Sequence, residues 1–170
     1  MYGLEFMLRH LQSEHFFGWV AYTLSRSERY RASAKKWEIY DQDETHNLQV
    51  LGSWRLPKEW ELGFRMRYVT GKPITPIKNV TLNIGYDYYY AATEPQDFNT
   101  GRMDPFFQLD LRVDKKFVRD KFMSSVYVDF QNISWFFYKS PERDIYSYDL
   151  SDKNRVSMIP LVATGFNVEF

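Results

Sequence analysis

Cysteine is missing from the 170 residues, which excludes disulfides and thiolate chemistry and leaves the redox compartment open. No apolar run approaches the roughly 18 residues that a membrane-spanning helix needs. Neither sign of charge is in excess. The 22 Lys and Arg balance 22 Asp and Glu, so no global field recruits nucleic acid or an anionic membrane surface. The opening "MYGLEFMLRHLQ" lacks the basic start, uninterrupted apolar stretch and small-residue cleavage site of a secretory signal. His10, His15 and His46 do not have metal-ligand spacing, and "GKPIT" (71–75) lacks the flanking glycines of a phosphate loop. No metal or cofactor is therefore expected. Helical periodicity, low-complexity tracts and linkers are lacking as well, which leaves one domain.

What is abundant is aromatic. Phe, Trp and Tyr make up 19% of the chain, yet the mean hydropathy is −0.52, because the rings are interleaved with charge rather than massed. In "FFQLDLRVDKKFVRDKFMSSVYVDF" (106–130), Phe107, Leu109, Leu111 and Val113 alternate with Gln108, Asp110, Arg112 and Asp114. Successive side chains of a strand point to opposite faces, so the stretch reads as two amphipathic strands joined by a tight turn at "VRDK" (118–121). The same alternation recurs over residues 2–11, 16–26, 47–56, 60–70 and 163–170. About seven antiparallel strands of roughly eight to twelve residues follow from it.

The connections alternate in length. Segments 12–15, 57–59 and 118–121 are short, whereas 27–46, 71–104 and 134–160 are long and rich in Tyr, Asp, Asn, Pro and Ser. A soluble sandwich has no reason to confine its long loops to one end, but an up-and-down transmembrane β-barrel of the outer-membrane type does so. The lengths suit tilted strands crossing a bilayer, and every backbone group there must be paired by closure. The apolar face is then expected to meet lipid and the charged face to line a wet or plugged lumen. Tyr2, Phe16, Phe17, Trp60, Phe117, Phe122 and Phe170 are assigned to a girdle at the short-turn end. Tyr30, Tyr68, Phe106 and Trp135 are assigned to the long-loop end.

Candidate sites follow from this frame. A turn centred between Arg119 and Asp120 sets Asp110 opposite Asp129 with Arg112 on the diagonal, and the "PKE" turn sets Arg55 opposite Glu61. Asp110, Arg112, Asp129, Arg65 and Arg67 are read as a lumen charge network, in preference to an acid–base pair of Asp110 and Asp129 in an outer-membrane hydrolase. No enzyme activity is expected. Tyr86, Tyr88, Tyr89 and Tyr90 in the longest loop are candidate ligand-stacking residues for a siderophore, sugar or other surface ligand, set against a plain extension of the wall.

Several stretches carry a family resemblance in order. "YGLEFMLR" followed by "FFGWVAYTLSRSE", then "HNLQVLGSWRLPKEWELGFRMRYVTGKPITPI", "RMDPFFQLDLRVDKKF", "VYVDFQNI" and "TGFNVEF" resemble the C-terminal β-barrel region of TonB-dependent outer-membrane receptors. The resemblance spans nearly the whole chain. It implies a location in the bacterial outer membrane, in contact with its lipid. It also implies a role in importing a scarce nutrient such as a ferric chelate or cobalamin. The partners implied are a plug domain, a TonB-type energising protein and the barrel assembly machinery. Gly165, Phe166, Val168 and Phe170 resemble the C-terminal signal read by that machinery. Ala163 departs from it, standing where a polar residue is usual. Neither the plug nor the energising segment is present, so the chain is expected to be a C-terminal fragment that does not transport alone. The alternative is a small autonomous outer-membrane barrel with a structural or adhesion role, closed by an eighth strand from 79–90 or 144–150.

Overall fold

The computed structural model describes residues 1–77, 79–92, 97–141, 143–146, 150 and 153–169. Its strands, in chain order, are β1 (Tyr2–His10), β2 (Phe16–Arg26), β3 (Glu28–Arg31), β4 (Lys36–Ile39), β5 (His46–Leu56), β6 (Trp60–Val69), β7 (Pro73–Ile74) and β8 (Asn79–Asn83). They continue as β9 (Tyr88–Ala92), β10 (Gly101–Arg102), β11 (Phe106–Val118), β12 (Met123–Gln131), β13 (Arg143–Tyr146), β14 (Lys153–Val156) and β15 (Leu161–Glu169). One seven-stranded antiparallel sheet, in the order β1-β2-β5-β6-β11-β12-β15, forms the body. Each strand pairs with its predecessor in the meander. The remaining strands form small separate ladders inside the long connections. No helix of the described residues is long and apolar enough to cross a membrane, which says nothing about strands.

The short connections are tight. Glu59, in the turn between β5 and β6, is held from the neighbouring strand by the Lys116 amide, which donates to its carbonyl at 2.9 Å. Between β11 and β12, the Arg119 amide donates to Phe122 O at 3.0 Å. This last turn therefore lies one residue later than "VRDK" suggests. The register moves by two: Arg112 is opposite Asp129, and Asp110 is opposite Arg65 on β6. The expected Asp110–Asp129 pairing is not formed. Arg55 does stand opposite Glu61.

Register carries the alternation across the whole sheet without a slip. Leu4, Phe6 and Leu8 share a face with Val20, Leu48, Val50, Leu62, Met66, Leu109, Leu111, Val113, Val126, Val128 and Phe166. Glu5, Arg9, Gln49, Arg55, Glu61, Arg65, Arg67, Asp110, Arg112, Asp114 and Asp129 share the other. A single-residue slip in any strand would reverse its faces, so the uniform result reflects one consistent period-two pattern.

Among the described residues no second layer packs over the whole of either face. Among the described residues Val69 is the one buried large hydrophobic, while the buried polar set includes Asp43, Asp110, Asn132 and Ser134. The accessible surface is 12244 Å², against about 8,900 Å² for a compact protein of 20.5 kDa. The usual inside-out rule is inverted here: polar groups are enclosed and apolar rings are displayed.

Residues 79–83 and 143–146 pair with β9 and β14, so neither supplies an eighth strand to the sheet. Tyr2 lies at the long-loop end, because β1 runs from there down to the first short turn. Phe17 and Phe106 stand at the expected heights but on the charged face, paired with Ser53 and Val69. The apolar ring band near the short turns instead runs His10–Phe16–Trp54–Phe64, with ring centroids 5.2, 4.9 and 5.4 Å apart. Trp60 and Phe117 extend it, and the Lys115 ammonium lies 5.3 and 5.5 Å from their centroids. Phe170 lies outside the described residues.

At Gly71, a Cβ would fall 1.8 Å from the Met103 carbonyl oxygen, since β7 and β10 cross against it. Gly71→Ala is expected to cost about 1–3 kcal/mol through overpacking against rigid backbone. Chemical denaturation should show a lowered midpoint; an unchanged one would mean the two segments do not meet as described.

Candidate functional site

The charged face holds an open cleft of about 360 Å³ lined by residues that include Ser53, Glu61, Arg65, Asp110, Arg112 and Asp129. Three polar clusters organise it. Asp110 is buried because the chain after β12 folds back over it. Its carboxylate accepts four hydrogen bonds: Arg65 Nε and Nη2 at 2.8 and 2.5 Å, Gln108 Nε2 at 2.9 Å and the Asn132 amide at 2.8 Å. The last bond fixes Asn132 in the left-handed region, φ 56°, where the chain leaves β12.

The second cluster centres on Arg112. Its Nε and Nη2 donate to the two oxygens of Asp114, both at 2.8 Å, and Asp129 stands opposite. The guanidinium carbon lies 3.9 Å from the Tyr127 ring centroid, a stacked cation–π contact. Tyr127 lies flat over Gly165 of β15, where a Cβ would come within 2.3 Å of the ring. Gly165 thus seats the ring on which Arg112 rests, a role beyond membership in a terminal signal. The third cluster joins Ser53, Glu61 and Lys116: Ser53 Oγ donates to Glu61 at 2.6 Å and Lys116 Nζ at 3.1 Å. Arg67 stands apart from all three, its guanidinium 5.5 Å from the Phe106 ring centroid.

The structure therefore brings Arg65 to Asp110 and Arg112 to Asp129, but separates the two carboxylates into different clusters. With Asp110 saturated by donors, an Asp110–Asp129 acid–base pair has no geometric basis. Asp110, the buried charge among these residues, is paired and hydrogen-bonded, as burial requires.

The tyrosines do not form one surface. Tyr86 occupies the turn of the β8–β9 hairpin, and Tyr88 and Tyr90 follow on one face with ring centroids 6.3 and 6.4 Å apart. Tyr89 is on the other face, opposite Leu82. Phe166 is exposed on the apolar face, and Val168 pairs with Ser124. Beyond β15 the sheet has no further strand among the described residues.

Sequence reasoning missed a clasp between two long connections. Asp43, fully buried, accepts from the Ser27 amide at 2.6 Å, Thr45 Oγ1 at 2.9 Å and Arg102 Nη2 at 2.5 Å. Arg102 Nη1 also donates to Gly71 O at 3.0 Å. Nearby, Asn99 Nδ2 donates to Ile39 O and Asp41 Oδ1 at 2.8 and 2.6 Å, and Phe98 lies beneath Arg31 at 3.7 Å. The described residues of 27–45 are thereby joined to Gly71 and to 98–102. No signal in the sequence pairs an aspartate with an arginine 59 residues away. Among the described residues, no group of three or more His, Asp or Glu converges as a metal site would require.

Comparison with protein-family models, curated proteins and solved structures finds no match. The fold is that of an all-β protein built on an antiparallel up-and-down sheet with one apolar and one charged face.

Burial acts to raise the Asp43 pKa, but the bonds from Arg102, Ser27 and Thr45 outweigh it and hold the carboxyl below its usual value. A folded-state pKa below the unfolded one stabilises above the unfolded value, near 4, and the contribution disappears as pH falls through the folded value. The clasp should accordingly persist at neutral pH and loosen in acid. Asp43→Ala, which strands Arg102, is expected to cost about 3–5 kcal/mol locally. It should speed proteolysis within 27–45 and 71–104 at pH 7; equal cleavage of variant and wild type would count against the clasp. At the other cluster, Gly165→Ala and Tyr127→Ala should each destabilise by about 1–3 kcal/mol. The double variant should fall short of the sum, because the clash vanishes with the ring. Strict additivity in denaturation would contradict the stacking.

Proposed function

We propose that this chain forms part of the wall of a bacterial outer-membrane β-barrel, within a receptor-transporter of the TonB-dependent type that imports a scarce nutrient. The observation that carries the membrane reading is the inverted burial. All seven strands present one continuous apolar face, ending in an aromatic band, to the surroundings, while charges gather on the opposite side, around the cleft. In water such a face would drive aggregation; against lipid it is what a wall needs. The principal strands include β1 with 9 residues, β2 and β5 with 11 and β6 with 10, lengths suited to a tilted crossing of the hydrocarbon layer. Lys115, the cation placed on the apolar face beside Trp60 and Phe117, sits where an ammonium reaches the interface.

Strand direction supports a larger barrel. In a seven-stranded antiparallel meander the first and last strands run the same way, so β1 and β15 can meet only in parallel. Bacterial single-chain barrels take an even number of antiparallel strands. Antiparallel closure of this sheet therefore calls for an odd number of further strands. The receptor type, as opposed to any other large barrel, rests on the ordered motifs from "YGLEFMLR" to "TGFNVEF". On this reading the charged face lines the lumen and contacts a plug, the clasped long connections face outward, and β15 is read by the assembly machinery. The chain alone does not transport.

An antibody raised against "YDYYYAATEPQDF" (86–98) should detect, in isolated outer membranes, a band well above 20.5 kDa that shifts on heating. A heat-shifting band near 20.5 kDa would instead favour a small autonomous barrel. Absence from the outer-membrane fraction would end the membrane reading.

A further inference from the structure

One exposed aromatic patch is not explained by the wall itself. The chain leaves β12 at Asn132 and makes a single 3-10 turn, Ile133–Phe136, that is tied down at many points. Ser134 is fully buried; its Oγ accepts the Leu109 amide at 3.1 Å and donates to Asn132 Oδ1 at 2.9 Å. Ser140 Oγ accepts the Phe107 amide at 2.7 Å and donates back to the Phe107 carbonyl. Tyr138 OH donates to Pro105 O at 2.5 Å, and the Asn132 amide to Asp110 at 2.8 Å. These hydroxyls take over the edge of β11 above Leu111, where its ladder with β12 stops. From the far side, Asn132 Nδ2 reaches Met158 O at 2.8 Å and Trp135 Nε1 reaches Ser157 Oγ at 3.2 Å.

A turn so firmly fastened nevertheless displays Phe136 at 75% and Phe137 at 68% exposure. Their exposure is thus imposed by the fold and is not a matter of a loose loop. The Phe137 ring lies 6.3 Å from Phe107, a member of the apolar face, so the patch continues that face beyond the last row of the β11–β12 pair. Trp135 adjoins Phe136 edge-on at 5.7 Å, and the Lys139 ammonium lies 4.6 Å from the Trp135 ring centroid. An indole and a cation beside exposed phenyl rings is the composition of a surface that is apolar on one side and meets anionic headgroups on the other.

We propose that the turn at 133–137 is a rigid interfacial anchor that seats Phe136 and Phe137 among lipid acyl chains, with Trp135 and Lys139 at the level of the phosphate-bearing headgroups. This inference rests on the membrane reading and extends it. The apolar belt is taller over β11 and β12 than the strands alone make it, and the base of the 132–160 connection is held at a fixed height on the bilayer. A phosphate-bearing lipid surface matches both the Lys139 cation and the two phenyl rings.

The absence of cysteine makes the test direct. Single cysteines at Phe136 and Phe137, and at the neighbours Val126 and Ser125 on opposite faces, are labelled with a nitroxide in the full chain. The labelled chains are reconstituted in phosphatidylcholine–phosphatidylglycerol vesicles. Collision rates with oxygen and with a water-soluble nickel chelate are then compared. The expected result is oxygen access at 126, 136 and 137, with nickel collisions at 136 and 137 several-fold below those at 125. Lipid exposure at 126 with nickel access at 136 and 137 overturns the anchor and leaves the membrane reading standing. Labels at 136 and 137 shielded from both reagents also overturn it, in favour of a protein contact. Nickel access at 126 removes both readings together. Phe136 is so exposed that a label there leaves the turn intact, which guards against a misfolded variant.

Discussion

Main-chain hydrogen bonding across the seven antiparallel strands is the constraint on which everything else depends. Almost no apolar side chain is enclosed, so the hydrophobic effect does not hold the two faces of this sheet to anything inside the molecule. Order comes from the ladder, and the ladder is legible because its register never slips. That continuity turns seven modest alternations into a single apolar surface and a single charged one.

Polar burial is the complement of that arrangement. Asp43, Asp110, Asn132, Ser134 and Ser140 are enclosed and bonded, each where a connection folds back on the sheet or on another connection. An enclosed carboxylate without donors would be costly, and Asp43 and Asp110 are each met by a guanidinium and a backbone amide. The result is a long-loop end that is already assembled: 27–45 is clasped to 71–104, and the turn after β12 is locked onto β11.

The arrangement at the charged face shows how small a local change decides a site. Moving one turn by a single residue shifts the β11–β12 partners by two, which replaces a carboxylate pair with an Arg112–Asp129 pair, while Asp110 faces Arg65 across the separate β6–β11 ladder. The chemistry implied by the two registers differs entirely. An acid–base pair needs carboxylates that share a proton; what stands here is a set of neutralised, donor-saturated charges. Gly165 carries a similar lesson, since its lack of a side chain is used by Tyr127 on the neighbouring strand.

The period-two pattern over 2–11, 16–26, 47–56, 60–70 and 106–130 was enough to place the principal strands, their antiparallel order and the membership of each face, because side-chain alternation is a property of the strand backbone alone. The gathering of long connections at one end followed from their lengths. Other features depended on contacts between residues far apart in the chain. The clasp of Asp43 by Arg102, the small ladders within the loops and the capping of β11 by Ser134 and Ser140 are of this kind. So is the placement of Phe17 and Phe106 on the charged face, since a ring at a strand end is assigned its side by parity with partners and not by its own polarity. Periodicity is local and survives in the sequence; turn register and loop docking are set by which distant groups satisfy one another, and only the tertiary structure decides that.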